Sequence, residues 1–361
     1  MSNYIIHEDR VAFHPGYYIK EIVDDSGLTQ EDFAKRLGTT PKNLSVLIRG
    51  DQNLSIDIAA KLSRMVGTSI EYWLNLQQAF DCQKAEFLLK EEMVREREAF
   101  KALDYKYFRE NFHLPNLVRK VDEQITEVRR FLDVSSLCVL KKPDFAVSFR
   151  QGIHELSCDN IMVANSMVQI AVNFALKTES PSYNRENFEK AVDYALTLTT
   201  EHESFLPKVR DAFRAAGVIL VVLPNMRSSG INGATKLIDG RIMLMVNDRR
   251  HYEDTFWFTL FHEIAHILDG DYGITCENDK SDSECNADAI AGNMLIPDNE
   301  YREYVDNNPQ PSLLSIRQFA ERISRDPGIV LGRLLLDGVI PYSQQARYHG
   351  LRRQYNVVVN N

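Results

Sequence analysis

Cysteine is scarce in this chain and follows no pairing pattern: Cys82, Cys138, Cys158, Cys276 and Cys285 are scattered over 361 positions without a C-x-x-C. An odd number at such spacings excludes a disulfide framework and a four-thiolate zinc site, so reduced thiols are expected. Long apolar runs are missing as well. No stretch approaches the length of a membrane span, and the first nine residues lack a basic segment followed by an apolar one, so a cytoplasmic chain without membrane contact is expected. Net positive charge is also lacking. At -9 the chain has no general attraction to polyanions, and any contact with phosphates must come from a local surface. What remains is an ordinary globular mixture, 44% hydrophobic and 26% charged, long enough for two or three domains.

The most informative stretch is Thr259-Leu-Phe-His262-Glu263-Ile-Ala-His266-Ile-Leu-Asp269-Gly270. Four residues advance a helix by a little over one turn, so His262 and His266 project from one face and can share a metal ion. Glu263 lies at the same edge, within reach of a water held by that ion. This is the H-E-x-x-H arrangement of zinc peptidases, with the Glu as general base and the histidines as two ligands. Phe256, Trp257, Leu260, Phe261, Ala265 and Leu268 are apolar at helical spacing, which predicts a buried helix. Two imidazoles and a carboxylate on such a helix are costly unless paired or bound.

Two histidines do not complete a site. The metzincin pattern would need Gly at 269 and His at 272, where this chain has Asp269 and Tyr272. The gluzincin pattern needs a Glu on a following helix and an Asp four residues later, and Glu284-Cys-Asn-Ala-Asp288 satisfies it at the start of an apolar helix ended by Pro297. Glu284 is then the third zinc ligand, and Asp288 accepts the second N–H of His262 and fixes its tautomer. Asp269 and Asp271 compete as third ligands. A His2Glu set leaves a position open, the catalytic rather than the closed structural arrangement. Cys285 reads as a buried, inert thiol. His251, Tyr252 and Tyr342 are the candidates for stabilising an oxyanion, and nothing in the sequence chooses between them.

The first 80 residues read as a compact five-helix unit after an extended entry at Val11 to Gly16. Thr29 caps Gln30-Glu31-Asp32, with acids in the first turn, and Gly38 closes that helix. Thr40-Pro41 starts the next, which runs to Gly50. Two short helices joined by a tight turn form a helix-turn-helix, whose second helix enters the major groove. That geometry presents Thr40, Lys42, Asn43 and Ser45 to the bases, with Arg49 near the backbone and Gln30 on a phosphate. The alternative is a helical interaction module: through residue 80 there are eight Lys or Arg against ten Asp or Glu. The basic residues concentrate at Lys35, Arg36, Lys42 and Arg49, and phosphates feel that local sign.

Gly27-Leu-Thr-Gln-Glu-Asp-Phe-Ala-Lys-Arg-Leu-Gly38 and Asn43-Leu-Ser-Val-Leu-Ile-Arg-Gly50 resemble the XRE (λ-repressor-like) helix-turn-helix family. His14-Pro15-Gly16 and Gly67 to Gln77 resemble its HigA antitoxin branch. The resemblance implies binding to operator DNA, and repressor-like modules read palindromic sites as dimers, so a homodimer is expected too.

Residues from about 79 to 111 carry opposite charges at four-residue spacing, such as Glu91 and Arg95, and predict a long solvated helix. Helical periodicity continues at 121–132 and 161–176, and His113 and His154 read as ordinary polar residues. Val218 to Leu223 reads as a strand, and Gly233 to Val246 as a hairpin turning at Asp239-Gly240. Arg241 to Val246 is the expected edge strand beside the cleft. Residues from about 205 to 345 resemble the ImmA/IrrE metallopeptidases through Gly233-Ala-Thr235, Phe256 to Leu268, Glu284 to Pro297 and Pro327 to Leu334, with Asn286 and Ile290 departing from the usual acid and Phe.

The expected architecture is mainly α with a small α+β part. It comprises a λ-repressor-like five-helix domain at 1–80, a helical linker and middle region at 81–200, and a gluzincin-like metallopeptidase domain with a short β-sheet and a helical tail at 201–361. The expected function is a DNA-binding regulator with a Zn2+-dependent endopeptidase that cleaves a regulatory protein and autoregulates its operon. The alternative is a HigA-like antitoxin that neutralises a cognate toxin, with the second domain as sensor or scaffold.

Overall fold

The computed structural model describes residues 3–143, 145–146, 157–276 and 281–357. His154 lies outside the described residues. The chain divides into two compact units, Met1–Arg95 and Glu96–Asn361.

The first unit begins with a hairpin, β1 (Tyr4–His7) and β2 (Arg10–Phe13), paired from Tyr4↔Phe13 to His7↔Arg10. The expected extended entry therefore folds back on itself, and Ile5 and Ala12 on its inner face pack with Phe80 and Phe87. Helices α1 (Pro15–Asp25), α2 (Gln30–Leu37), α3 (Pro41–Ile48), α4 (Ile56–Val66) and α5 (Ile70–Phe100) follow. Local chemistry sets their ends. The Thr29 and Thr40 hydroxyls accept the N–H groups of Asp32 and Asn43 at 3.1 Å each, and Gly38 closes α2 at φ 70°. Ile19, Phe33, Leu44, Leu62 and Trp73 form the core between them. No glycine or proline interrupts Ile70 to Phe100, so the last helix of the bundle and the charged segment after it are one continuous helix.

In the second unit, α6 (Tyr105–Phe112), α7 (Val121–Leu132), α8 (Cys158–Lys177), α9 (Arg185–Thr197) and α10 (Phe205–Ala215) precede a four-stranded sheet. Its strands are β3 (Val218–Leu223), β4 (Ile231–Ile238), β5 (Arg241–Asn247) and β6 (Ile274–Cys276), in the order β3-β5-β4-β6. β4 and β5 form the expected hairpin, turning through Asp239 and Gly240 at φ 47° and 76°. β5 is not the edge strand expected. It pairs in parallel with β3 on one side and antiparallel with β4 on the other, and β3 and β6 are the edges. Its apolar run Ile242 to Val246 is what burial on both faces requires.

Helix α11 (Glu253–Asp269) lies between β5 and β6 in sequence, and α12 (Asp282–Leu295), α13 (Asp298–Asn307), α14 (Leu313–Arg322) and α15 (Pro327–Leu336) complete the unit. The core joins Trp257 and Phe261 of α11 to Phe213, Leu244, Leu295 and Val330. The C-terminal segment straps the start of α11: Arg352 grips Asp254 at 3.0 and 2.7 Å, Tyr355 N–H donates to the His251 carbonyl at 2.9 Å, and Val357 N–H donates to Asp248 at 2.9 Å. Among the described residues no helix is long and apolar enough to cross a membrane.

Candidate metal centre and nucleic-acid interface

Helix α11 is buried between the sheet and α12, and the polar residues of its middle turns, His262, Glu263 and His266, meet on one side. His262 is 9% exposed, His266 2% and Glu263 fully buried. Glu284, the third residue of α12, in the first turn behind the Ser281 cap, is brought to the same point. The two Nε2 atoms stand 3.1 Å apart, His262 Nε2 is 2.8 Å from Glu284 Oε2, and His266 Nε2 is 3.4 Å from Glu284 Oε1. Ligand atoms on a tetrahedral zinc with bonds of about 2.0–2.2 Å lie about 3.4 Å apart, so the three groups are placed as such a set requires.

The opposite ring edges explain why both Nε2 atoms can face inward. His262 Nδ1 is 2.8 Å from Asp288 Oδ1, and His266 Nδ1 is 3.1 Å from Asp271 Oδ2, which also accepts the Ser283 hydroxyl at 2.9 Å. A carboxylate on each Nδ1 holds the proton there and leaves the Nε2 lone pairs to converge beside a carboxylate, an arrangement that needs a cation. Burial opposes a charge on His262, but Asp288, Glu284 and Glu263 outweigh it and raise its pKa to about 10. Burial likewise raises Glu284, and the two histidines overcome it and draw the pKa down to about 2. A histidine that holds its proton this firmly, beside a carboxylate that gives its own up this readily, marks surplus negative potential, and a divalent ion competes with that proton for the same lone pair.

The donor set therefore fits zinc. Asp288 stands where the spacing placed it, behind His262. Neither rival joins the cluster: Asp271 serves His266 from behind, and Asp269 accepts from Asn286 at 3.3 Å. Cys285, expected to be buried, is exposed, because it falls on the outer face of α12. Tyr252 is engaged elsewhere, its ring 3.8 Å beneath the Arg352 guanidinium, and Tyr342 is exposed on the tail. Sequence reasoning missed two contributors. The role of Asp271 depends on the turn after Gly270, where its N–H returns to the His266 carbonyl at 2.9 Å. Gly233 of β4 packs against the Glu263 side chain, and a glycine inside a strand is the signal of such an approach.

In the first unit, Thr40, Lys42, Asn43 and Ser45 line the first turns of α3, and Gln30 opens α2. Thr40 and Lys42 are exposed. Asn43 donates to Thr39 Oγ1 at 2.9 Å, while Arg49 donates to Ser45 Oγ at 2.6 Å and to Asp51 at 2.9 Å. Lys35 pairs with Glu31 at 2.9 Å. Among the described residues Arg36 and Lys42 have no ion pair, so they are the charges of this surface most available to phosphate.

Residues 19–73 match the helix-turn-helix family and residues 220–323 match the IrrE N-terminal-like domain. An uncharacterized helix-turn-helix-type transcriptional regulator of Escherichia coli (strain K12) is 36% identical over 79 residues, covering 21% of this chain and 84% of that protein. Virulence-associated protein I of Dichelobacter nodosus is 33% identical over 76 residues, covering 21% of this chain and 70% of that protein. A solved structure of an addiction module antidote protein of a HigA family from Coxiella burnetii is 27% identical, covers 24% of this chain and 94% of that one, and has a TM-score of 0.22.

Proposed function

Because this chain belongs to the helix-turn-helix transcriptional regulators and carries an IrrE N-terminal-like peptidase domain after its DNA-binding unit, we propose that it binds its own operator and cleaves a regulatory protein with a zinc-dependent peptidase site. The observation that carries the reading is the meeting of His262, His266 and Glu284 with the buried Glu263 one residue along α11. Peptidases of this family are generally zinc-dependent. A zinc ion held by the three side chains would supply Lewis acidity to a water molecule and to the peptide carbonyl. Glu263 is the residue that would accept a proton from an attacking water and return it to the leaving amine nitrogen. Asp288 and Asp271 keep each imidazole in the tautomer that points Nε2 inward, and Gly233 leaves Glu263 the room to reach the reacting atoms.

The test is Glu263→Gln, which keeps the size of the side chain and all three ligands. Terminal-labelling mass spectrometry of the host proteome should find a new N-terminus in a regulatory protein with the wild type and none with the variant, at equal zinc content and equal operator binding. Cleavage that persists in the variant would refute the peptidase reading. A second reading rests on the likeness of His14-Pro15-Gly16 and Gly67 to Gln77 to the HigA branch: an antitoxin that neutralises a toxin, with the second domain as scaffold. It expects a small toxin to co-purify with the chain and Glu263→Gln to leave neutralisation and promoter repression unchanged.

A further inference from the structure

We propose that the open edge of β3, at the opposite end of the strand order from β6, is a docking groove for an extended peptide segment carrying a carboxylate. β3 has one neighbour in the sheet, β5. The Ile242 N–H donates to the Gly217 carbonyl at 3.0 Å, and this bond sets the phase of the parallel ladder: Ile219, Val221 and Leu223 turn their backbone groups to β5, and Leu220 and Val222 turn theirs away. Among the described residues no hydrogen bond reaches the outward N–H and C=O of Leu220 and Val222. Both residues are nearly buried, at 5% and 2% exposure, and buried backbone groups are almost always paired.

Along this edge runs a cavity of about 260 Å³, walled by Phe174 of α8, Thr178 just beyond its end, and Arg210 and Arg214 of α10. Arg214 is tied to Asp211 at 2.9 Å. Arg210 is half-buried, its Nε is enclosed without an acceptor, and among the described residues it makes no hydrogen bond or ion pair. A guanidinium in that position calls for a planar anion, which it binds through two parallel N–H groups. The two demands have one answer. A strand laid against β3 completes the ladder at Leu220 and Val222, and a carboxylate on it meets Arg210. A small carboxylic acid satisfies the arginine alone and leaves the backbone groups unanswered. The inference does not depend on the metal site cleaving anything.

The probe is acetyl-Val-Thr-Val-Thr-Val with a free carboxylate, titrated into the full chain beside its C-terminal amide and beside butyrate. The free acid should slow hydrogen exchange at the Leu220 and Val222 amides, and amidation should weaken its binding about tenfold. Arg210→Gln should weaken the free acid to the level of the amide, and Arg210→Lys should recover part of the loss. Equal binding of acid and amide, or no protection at those two amides, overturns the proposal without recourse to a variant. Butyrate binding as tightly as the peptide also overturns it, in favour of a small-anion pocket.

Discussion

Gly233 faces Glu263 so closely that a Cβ on the glycine would stand 2.5 Å from the glutamate Oε1 and 2.7 Å from its Cδ and Cγ. Real Cβ atoms do not occupy such positions, so one of the two groups has to move. β4 is hydrogen-bonded on both sides, to β5 and to β6, whereas Glu263 is a side chain at the end of flexible bonds. Gly233→Ala is therefore expected to displace the Glu263 carboxylate and spare the ligands. Zinc content should match the wild type, while peptide hydrolysis falls about a hundredfold, the scale of a catalytic group misplaced by about 1 Å. Metal analysis and turnover measured on the same preparation check this, and lost zinc with unchanged turnover would contradict it.

The acids behind the histidines make a second, separable prediction. Asp288 and Asp271 reach the Nδ1 atoms of His262 and His266 and touch none of the inward-facing Nε2 atoms. Replacing either by Asn keeps a hydrogen-bond acceptor and removes the charge that raises imidazole basicity. Zinc affinity should fall about ten- to a hundredfold in each variant. Competition with a chromophoric chelator measures this directly. Undiminished affinity in Asp271→Asn would show that the residue is only a surface partner of Ser283.

The parts of this arrangement legible in the sequence are those set by local rules. The spacing of His262 and His266 follows from the helical repeat, Glu284 and Asp288 share a helix face for the same reason, and Thr29, Thr40 and Gly38 mark helix ends through bonds made within a turn. Strand order is a different kind of fact. Nothing in Ile242 to Val246 tells which strand lies on either side, because a parallel crossover from β3 and a hairpin from β4 both accept the same apolar run, and the edge assignment failed there. The β1–β2 hairpin is not legible in the sequence, because Tyr4 to Phe13 carries no strong alternation and depends on Phe80 and Phe87, distant in sequence, for its buried face. The sequence offers Asp271 as a ligand, and its place behind His266 depends on a turn whose direction is fixed only in three dimensions.

On the DNA side, the contacts within α3 divide the candidate residues by role. Lys42 is exposed and without an ion pair among the described residues, so it suits a phosphate. Asn43 is held by Thr39 at 2.9 Å and would have to exchange that bond to read a base edge. Lys42→Ala should weaken binding evenly across sequences and lower the slope of log affinity against log salt by about one. Asn43→Ala should cost about 1–3 kcal/mol at one base position and little elsewhere. Binding assays on an operator selected from random DNA, with single-base variants at several salt concentrations, separate the two. A uniform loss from Asn43→Ala would remove it from base reading.

His262 gives the metal site a pH dependence whose sign is fixed. After the metal has been stripped by a chelator, burial still disfavours the imidazolium, but Asp288 and Glu284 prevail and hold the pKa near 10, against 6.5 for an ordinary histidine. A group raised in this way contributes stability that is fully present below about pH 6.5 and is lost as the pH rises through about 10, because the unfolded chain binds that proton less well. The stripped protein should therefore unfold more easily as the pH rises across that window. Zinc reverses the trend, since it needs the same nitrogen deprotonated. Each unit of pH below about 10 sets the ion against a tenfold higher proton activity, so zinc affinity should climb roughly tenfold per unit between about pH 6 and pH 8, with about one proton released per ion bound. Calorimetry in two buffers of different ionisation enthalpy counts that proton, and an affinity flat across the range would mean that His262 is not a ligand.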